Sequence, residues 1–203
     1  MAAKCADAGI EIVSIASGNR FHEQDPDRVQ ENISRVMRIV EFAAALGAPR
    51  VRVFGNNFPD GVDRNAVIRQ VARCLHELAA FAEPYDVSVD LEMHGEFLSK
   101  EAARTADLAD HDNLGLIFNS DPRDVENGSV AHVFDASGDR IHHIHMHHLT
   151  EVDFPYRAML RLLVARGYDG YLSAEMGKTD GDPELILAYY ARLFRAYVDL
   201  AQV

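Results

Sequence analysis

The chain has 203 residues, 48% hydrophobic and 26% charged, enough for one domain with a sizeable core. Its formal net charge of −12 repels phosphate backbones and argues against a nucleic-acid partner. No apolar run approaches the roughly 20 residues that cross a bilayer, and the opening "MAAKCADAG" has no hydrophobic signal region, so no membrane partner is expected.

Cys5 and Cys74 form no metal-type pair and read as free thiols of a reducing, cytoplasmic compartment. Strand-like and helical segments then alternate. The first strand is expected over Ile10–Ser17, "IEIVSIAS". The loop after it, "GNRF", is not a Gly-rich phosphate loop, which weakens a nucleotide-binding sheet. A helix is expected over Asp27–Leu46, where Val29, Ile33, Val36, Met37, Val40 and Ala44 recur every three or four residues. Asp25-Pro26 supplies a capping side chain and a first-turn proline, and Gly47 a stop. The strand "RVRVFG" (Arg50–Gly55) precedes a second helix over Asp63–Phe81, patterned by Val67, Ile68, Val71, Leu75 and Leu78.

Next comes "VSVDLEMH" (Val87–His94), with Val87, Val89, Leu91 and Met93 on one face and Ser88, Asp90, Glu92 and His94 on the other. A short helix over Glu101–Leu108, the strand "LGLIFN" (Leu114–Asn119) and a helix over Asp124–Phe134 follow. The strand "IHHIHMH" (Ile141–His147) lies within a stretch holding five of the chain's ten histidines. Simple alternation puts His143, His145 and His147 on one face with Ile141, and His142 and His148 on the other with Ile144 and Met146. A helix over Phe154–Ala165, the strand "YLSAEM" (Tyr171–Met176) and a helix over Pro183–Ala201 complete six strand–helix units. Such alternation makes parallel βα units, in either an open doubly wound sheet or a (β/α) barrel.

The strand ends favour the barrel. Glu92, Asn119, His145 and Glu175 each stand near the C-terminal end of successive strands, and parallel strands bring those ends to one rim. Alone, each has an ordinary reading: Glu92 a salt-bridged strand end, Asn119 a turn residue before "SDP", His145 a hydrogen-bonded core histidine, Glu175 a loop cap. Together, two carboxylates, an imidazole and an amide oxygen converging at that rim can bind a divalent cation. The mostly oxygen set favours Mn²⁺ or Mg²⁺ and accommodates Co²⁺ or Zn²⁺. His143 reads as a satisfied interior histidine. His147 and His148 read as rim residues, with His147 a candidate for substrate binding.

At these residues the chain resembles the xylose-isomerase-like TIM barrels, a sugar isomerase and epimerase family that also includes endonuclease-IV-like enzymes. The resemblance is carried by "LGAPRVRVFG", "VSVDLEMHG", "NLGLIFNSDP", "DRIHHIHMHH" and "GYDGYLSAEM", in this order and over nearly the whole chain. It implies a metal held by Glu92, Asn119, His145 and Glu175. Asn119 stands where the family usually has Asp, and His147-His148 where it often has Lys-Asp. The implied activity is isomerisation or epimerisation of a small sugar, sugar phosphate or keto acid through an enediolate. Glu92 and Glu175 would exchange the carbon-bound proton. His94, Arg52 and His22 are further candidates for substrate contact, with Arg52 equally readable as an inward ion-pair member. Alternatives are a metal-dependent lyase or dehydratase on the same scaffold, and a non-catalytic metabolite-binding relative. A phosphodiesterase acting on abasic DNA is disfavoured by the acidic charge and the small ligand set.

The family barrel has eight strands and this chain supplies six, its first segment "CADAGIEIVSIAS" resembling the approach to the family's third. A single domain over residues 1–203, short at its N-terminus, is therefore expected. The first and last strands should be open sheet edges, a liability that a homo-oligomer or another chain would relieve.

Overall fold

The computed structural model describes residues 2–177 and 180–202. A short helix α1 (Ala2–Asp7) leads into β1 (Ile15–Arg20), α2 (Pro26–Leu46), β2 (Arg50–Asn56), α3 (Arg64–Ala82) and β3 (Ser88–Gly95). Then come α4 (Ser99–Ala109), β4 (Leu114–Phe118), α5 (Ala131–Ser137), β5 (Ile141–Met146), α6 (Tyr156–Arg166), β6 (Tyr171–Ala174) and α7 (Pro183–Ala201). The strands form one sheet in sequence order, every neighbouring pair parallel. Consecutive parallel neighbours joined by helices curl the sheet into a half-barrel with helices outside. Among the described residues β1 and β6 do not pair with each other, so the sheet is open, as its sequence implies.

The helices form where their caps and apolar stripes agree. The Asp25 carboxylate accepts from the Asp27 N–H, Pro26 opens α2, and Gly47 closes it with φ 73°. Its buried side chains are Ile33, Val36, Val40 and Ala43. Asp63 caps α3 in the same way, and Val71, Leu75 and Leu78 are fully buried from that helix. The apolar face of β3 (Val89, Leu91, Met93) meets this layer. Its polar face (Asp90, Glu92) turns to the concave interior and is buried as well.

Three expectations need correction. The first strand begins at Ile15, five residues later than the alternation of "IEIVSIAS" suggests. Ile15 stands opposite Val51 and β2 begins at Arg50, so residues 10–13 run past the start of the neighbouring strand and have no ladder to join. The helix expected from Asp124 starts at Ala131. Asp124 instead accepts from the Ser99 backbone N–H at 3.1 Å, fastening the start of α4. "ENGS" makes a tight turn, with Asn127 and Gly128 both at positive φ and Glu126 bridged to Ser129. The third concerns β5. Leu116 faces Ile141 but the next residue, Ile117, faces His143, so β5 carries an extra residue at His142. The bulge turns His142 inward, where its Nδ1 lies 3.1 Å from Asp90 Oδ1. Simple alternation had placed it outward.

Candidate active site

The site lies where β2 to β6 end. Glu92, two residues beyond the buried Asp90, projects from β3 into the concave face and is 1% exposed. Arg52 on β2 donates to its Oε2 at 2.7 Å, and the same guanidinium lies 4.1 Å from the centre of the Phe54 ring. Arg52 is thus an inward ion-pair member, held from two sides. On β5, His145 aims Nδ1 between two carboxylates, 3.5 Å from Glu92 Oε1 and 3.2 Å from Glu175 Oε2. Glu175 is the residue after β6 and its side chain is about half exposed. Glu92, His145 and Glu175 each offer a ligand atom, and these atoms lie within 4.8 Å of one another.

Burial alone would depress the His145 pKa, but the two carboxylates outweigh it and raise the group from 6.5 to about 9. In return, contact with His145 lowers the Glu175 carboxyl against the opposing effect of its partial burial. His145 Nδ1 is close to both carboxylates yet aligned for a hydrogen bond with neither. Asn119 Oδ1 is likewise buried without a hydrogen-bond partner. Asn119 follows β4, and strand parity puts it on the inner face with Gly115 and Ile117. Two carboxylates and an imidazole in reach of one point, with two unsatisfied buried polar atoms among the four candidates, fit a divalent cation.

The other histidines divide by position. His143 is 5% exposed, its Nε2 lies 2.6 Å from Ser173 Oγ, and burial followed by the His145 charge lowers its pKa to about 4. His94, at the end of β3, is exposed, with its ring 4.9 Å from that of Phe54. His22 follows β1 and lines a rim cleft of about 580 Å³ with Asn57, Phe58 and Glu96; burial lowers its pKa. His148 is exposed. His147 has both ring nitrogens against backbone carbonyls, Nδ1 at 3.0 Å from Glu175 O and Nε2 at 2.9 Å from Asn119 O. The arrangement at the opposite strand ends, where Asp90 meets Arg50, Ser88 and His142, went unread in sequence. The signal for it was the "VSVD" parity, which already placed Asp90 beside Glu92.

This fold and this rim define an open (β/α) half-barrel with a candidate metal site at its strand ends. Residues 1–197 match the family described as xylose isomerase-like TIM barrel, and the chain belongs to it. A 2-oxo-tetronate isomerase from Pectobacterium atrosepticum is 24% identical over 184 residues, 82% of this chain and 70% of that protein. An inosose isomerase from Halalkalibacterium halodurans is 24% identical over 177 residues, 77% of this chain and 63% of that protein. Among solved structures, an L-ribulose 3-epimerase superposes with a TM-score of 0.85 at 18% identity, covering 99% of this chain and 79% of its own. A 3-keto-D-glucoside 4-epimerase from E. coli gives 0.83 at 16% identity, covering 96% and 82%. Among the described residues no helix is long and apolar enough to cross a membrane.

Proposed function

We propose that the protein is a divalent-metal-dependent isomerase or epimerase of a small sugar, sugar phosphate or keto acid, acting by proton transfer next to a carbonyl. The observation that carries this reading is the convergence of Glu92, His145 and Glu175 at the C-terminal ends of three parallel strands. The similar isomerases and epimerases give the same reaction class.

Glu92, Asn119, His145 and Glu175 would hold Mn²⁺ or Mg²⁺, with Co²⁺ or Zn²⁺ also accommodated. When bound, the cation supplies a positive centre for neighbouring carbonyl and hydroxyl oxygens and lowers the cost of enediolate charge. Glu92 and Glu175 come from different strands, so that one would remove the proton beside the carbonyl and the other would return it. Their environments differ: Glu92 is buried against Arg52, whereas Glu175 is half exposed and free to exchange protons with water. Arg52 fixes the Glu92 carboxylate through Oε2 and leaves Oε1 toward His145. His94 and His22, on the rim, are placed to meet the distal hydroxyls of a substrate.

The test is a panel of ketoses and keto acids incubated with Mn²⁺ in deuterated water. Deuterium entering the product at the carbon next to the carbonyl is the expected result. Loss of water or carbon–carbon cleavage in its place would identify a lyase. Stoichiometric metal uptake with no turnover across the panel would favour the metabolite-binding reading, to which the amide at position 119 lends weight.

A further inference from the structure

Loops at a strand end are usually mobile unless something ties them down. Two neighbouring loops on this rim are tied down, and the space between them is empty. The first follows β1. There the Gln70 side-chain amide of α3 donates to the carbonyl oxygens of Phe21 and Glu23, at 2.7 and 2.8 Å. The second follows β2. There Glu96 accepts from the Phe58 N–H at 2.9 Å and from Arg64 at 3.2 Å. The Arg64 guanidinium lies 3.7 Å from the centre of the Phe58 ring, which also stacks with Phe97 at 4.7 Å. Phe97 in turn packs onto Gly55, where a Cβ would leave it no room. Between these walls is the cleft of about 580 Å³. Among the described residues, His22 Nδ1 is buried there without a hydrogen-bond partner.

We propose that this cleft is a second subsite, for an uncharged, hydroxyl-rich unit joined to the one that carries the carbonyl, so that the substrate is a two-unit sugar. This rests on the isomerase reading above. β2 and β3 lead from the candidate metal site to the cleft: Phe54 stands opposite Glu92 and Asn56 opposite Gly95, and the next residues, Asn57 and Glu96, line it. Three strand residues cover about 10 Å, beyond the unit held at Glu92 and within reach of a second one. The volume falls within the roughly 300–1,000 Å³ of sites that enclose a small organic molecule. The lining sets the chemistry. Glu23, Asp25, Asp60 and Glu96 face the single arginine Arg28, which itself lies 3.8 Å from Asp25. Carboxylates accept from sugar hydroxyls and repel a phosphate, while His22, Gln24 and Asn57 supply donors and acceptors for the rest. Walls fixed before binding spare the ligand the cost of ordering them.

The experiment compares fructose with its 4-O- and 6-O-glucosyl forms, maltulose and isomaltulose, and with fructose 6-phosphate, on the Mn²⁺-loaded protein. Deuterium uptake beside the carbonyl should give a kcat/KM roughly tenfold higher for one disaccharide than for fructose, the worth of one or two hydrogen bonds. Fructose 6-phosphate should do no better than fructose. Asn57→Ala and Asp60→Ala should each lower the disaccharide-to-fructose ratio by roughly fivefold, mainly through KM. Unchanged Mn²⁺ affinity by calorimetry shows that these variants are folded. Saturation-transfer NMR on the Mg²⁺-loaded protein should show contact with the glucosyl protons. Equal use of fructose and the disaccharides overturns the subsite, as does a preference that survives both substitutions. A preference for fructose 6-phosphate, NMR contact confined to the fructosyl unit, or no contact with any of the sugars also overturns it. Glucosyl contact without deuterium uptake from any sugar supports the cleft as a sugar site and counts against the isomerase reading instead.

Discussion

The charge balance around His145 decides how the site responds to pH. In the metal-free protein the ring is protonated between Glu92 and Glu175, with a pKa of about 9 against an ordinary 6.5. A raised pKa stabilises the fold fully below pH 6.5, and the contribution disappears as pH rises through 9. The metal-free protein should therefore lose about 2 kcal/mol across that window, partial solvent access to Glu175 being allowed for. Thermal unfolding of the wild type against His145→Gln measures it, and equal slopes between pH 6.5 and 9 would refute the charge assignment. A cation must displace the same proton, so Mn²⁺ affinity should climb with pH over this window, approaching tenfold per unit. At position 119 the buried Oδ1 has no hydrogen-bond partner. Asn119→Asp should tighten Mn²⁺ binding by about tenfold, because it adds a full negative charge to the ligand set. Equal or weaker binding by calorimetry would exclude Asn119 from that set. That Glu92, His145 and Glu175 share one rim was legible in sequence because each stands near the C-terminal end of its strand. What each ring nitrogen of His147 touches was not, since both partners are main-chain carbonyls from other strands.

At the scale of elements, long amphipathic helices with clear caps were readable almost to the residue. Pro183–Ala201 is the same helix in sequence and structure, and Gly47 ends α2 as its position implies. Failures came where a neighbour's register overrides a local pattern. The first strand could not begin at Ile10 because β2 starts opposite residue 14, and no property of "IEIVSIAS" encodes that. The β5 bulge is a similar case: it depends on Gly115 of β4, whose missing side chain leaves room for His142 to reach Asp90. A Cβ at position 115 would clash with both His142 Nδ1 and Asp90 Oδ1. Gly115→Ala should then destabilise the protein by about 2 kcal/mol, within the usual cost of overpacking. Adding His142→Ala to that variant should restore part of the loss. Denaturant unfolding of the single and double variants checks both, and an additive double variant would mean that the glycine serves some other purpose.

For the whole molecule the decisive feature is the open sheet. Its centre is strongly held: β3 is buried from Val89 to Met93 and β4 throughout, with Leu91, Leu116 and Phe118 at 0% exposure. Its two ends are not. β6 has no fully buried residue, and α7, which follows it, leaves Leu185, Leu187, Tyr189 and Leu200 about half exposed or more. The site is built across this gradient, with Glu92 on the firm centre and Glu175 on the edge. An edge strand of four residues with one neighbour opens at a lower free energy than a central one. Amide exchange of the metal-free protein should thus be slowest in β3 and β4 and fastest in β6 and β1. A ligand that binds only the closed arrangement protects most strongly the part that must be held in place. Mn²⁺ should therefore slow exchange at Leu172–Glu175 far more than at Val89–Glu92, although the proposed site draws on both strands. Equal protection of the two strands would place the binding energy in the sheet centre and separate Glu175 from the metal. No protection anywhere would mean that these strand ends do not hold the ion at all.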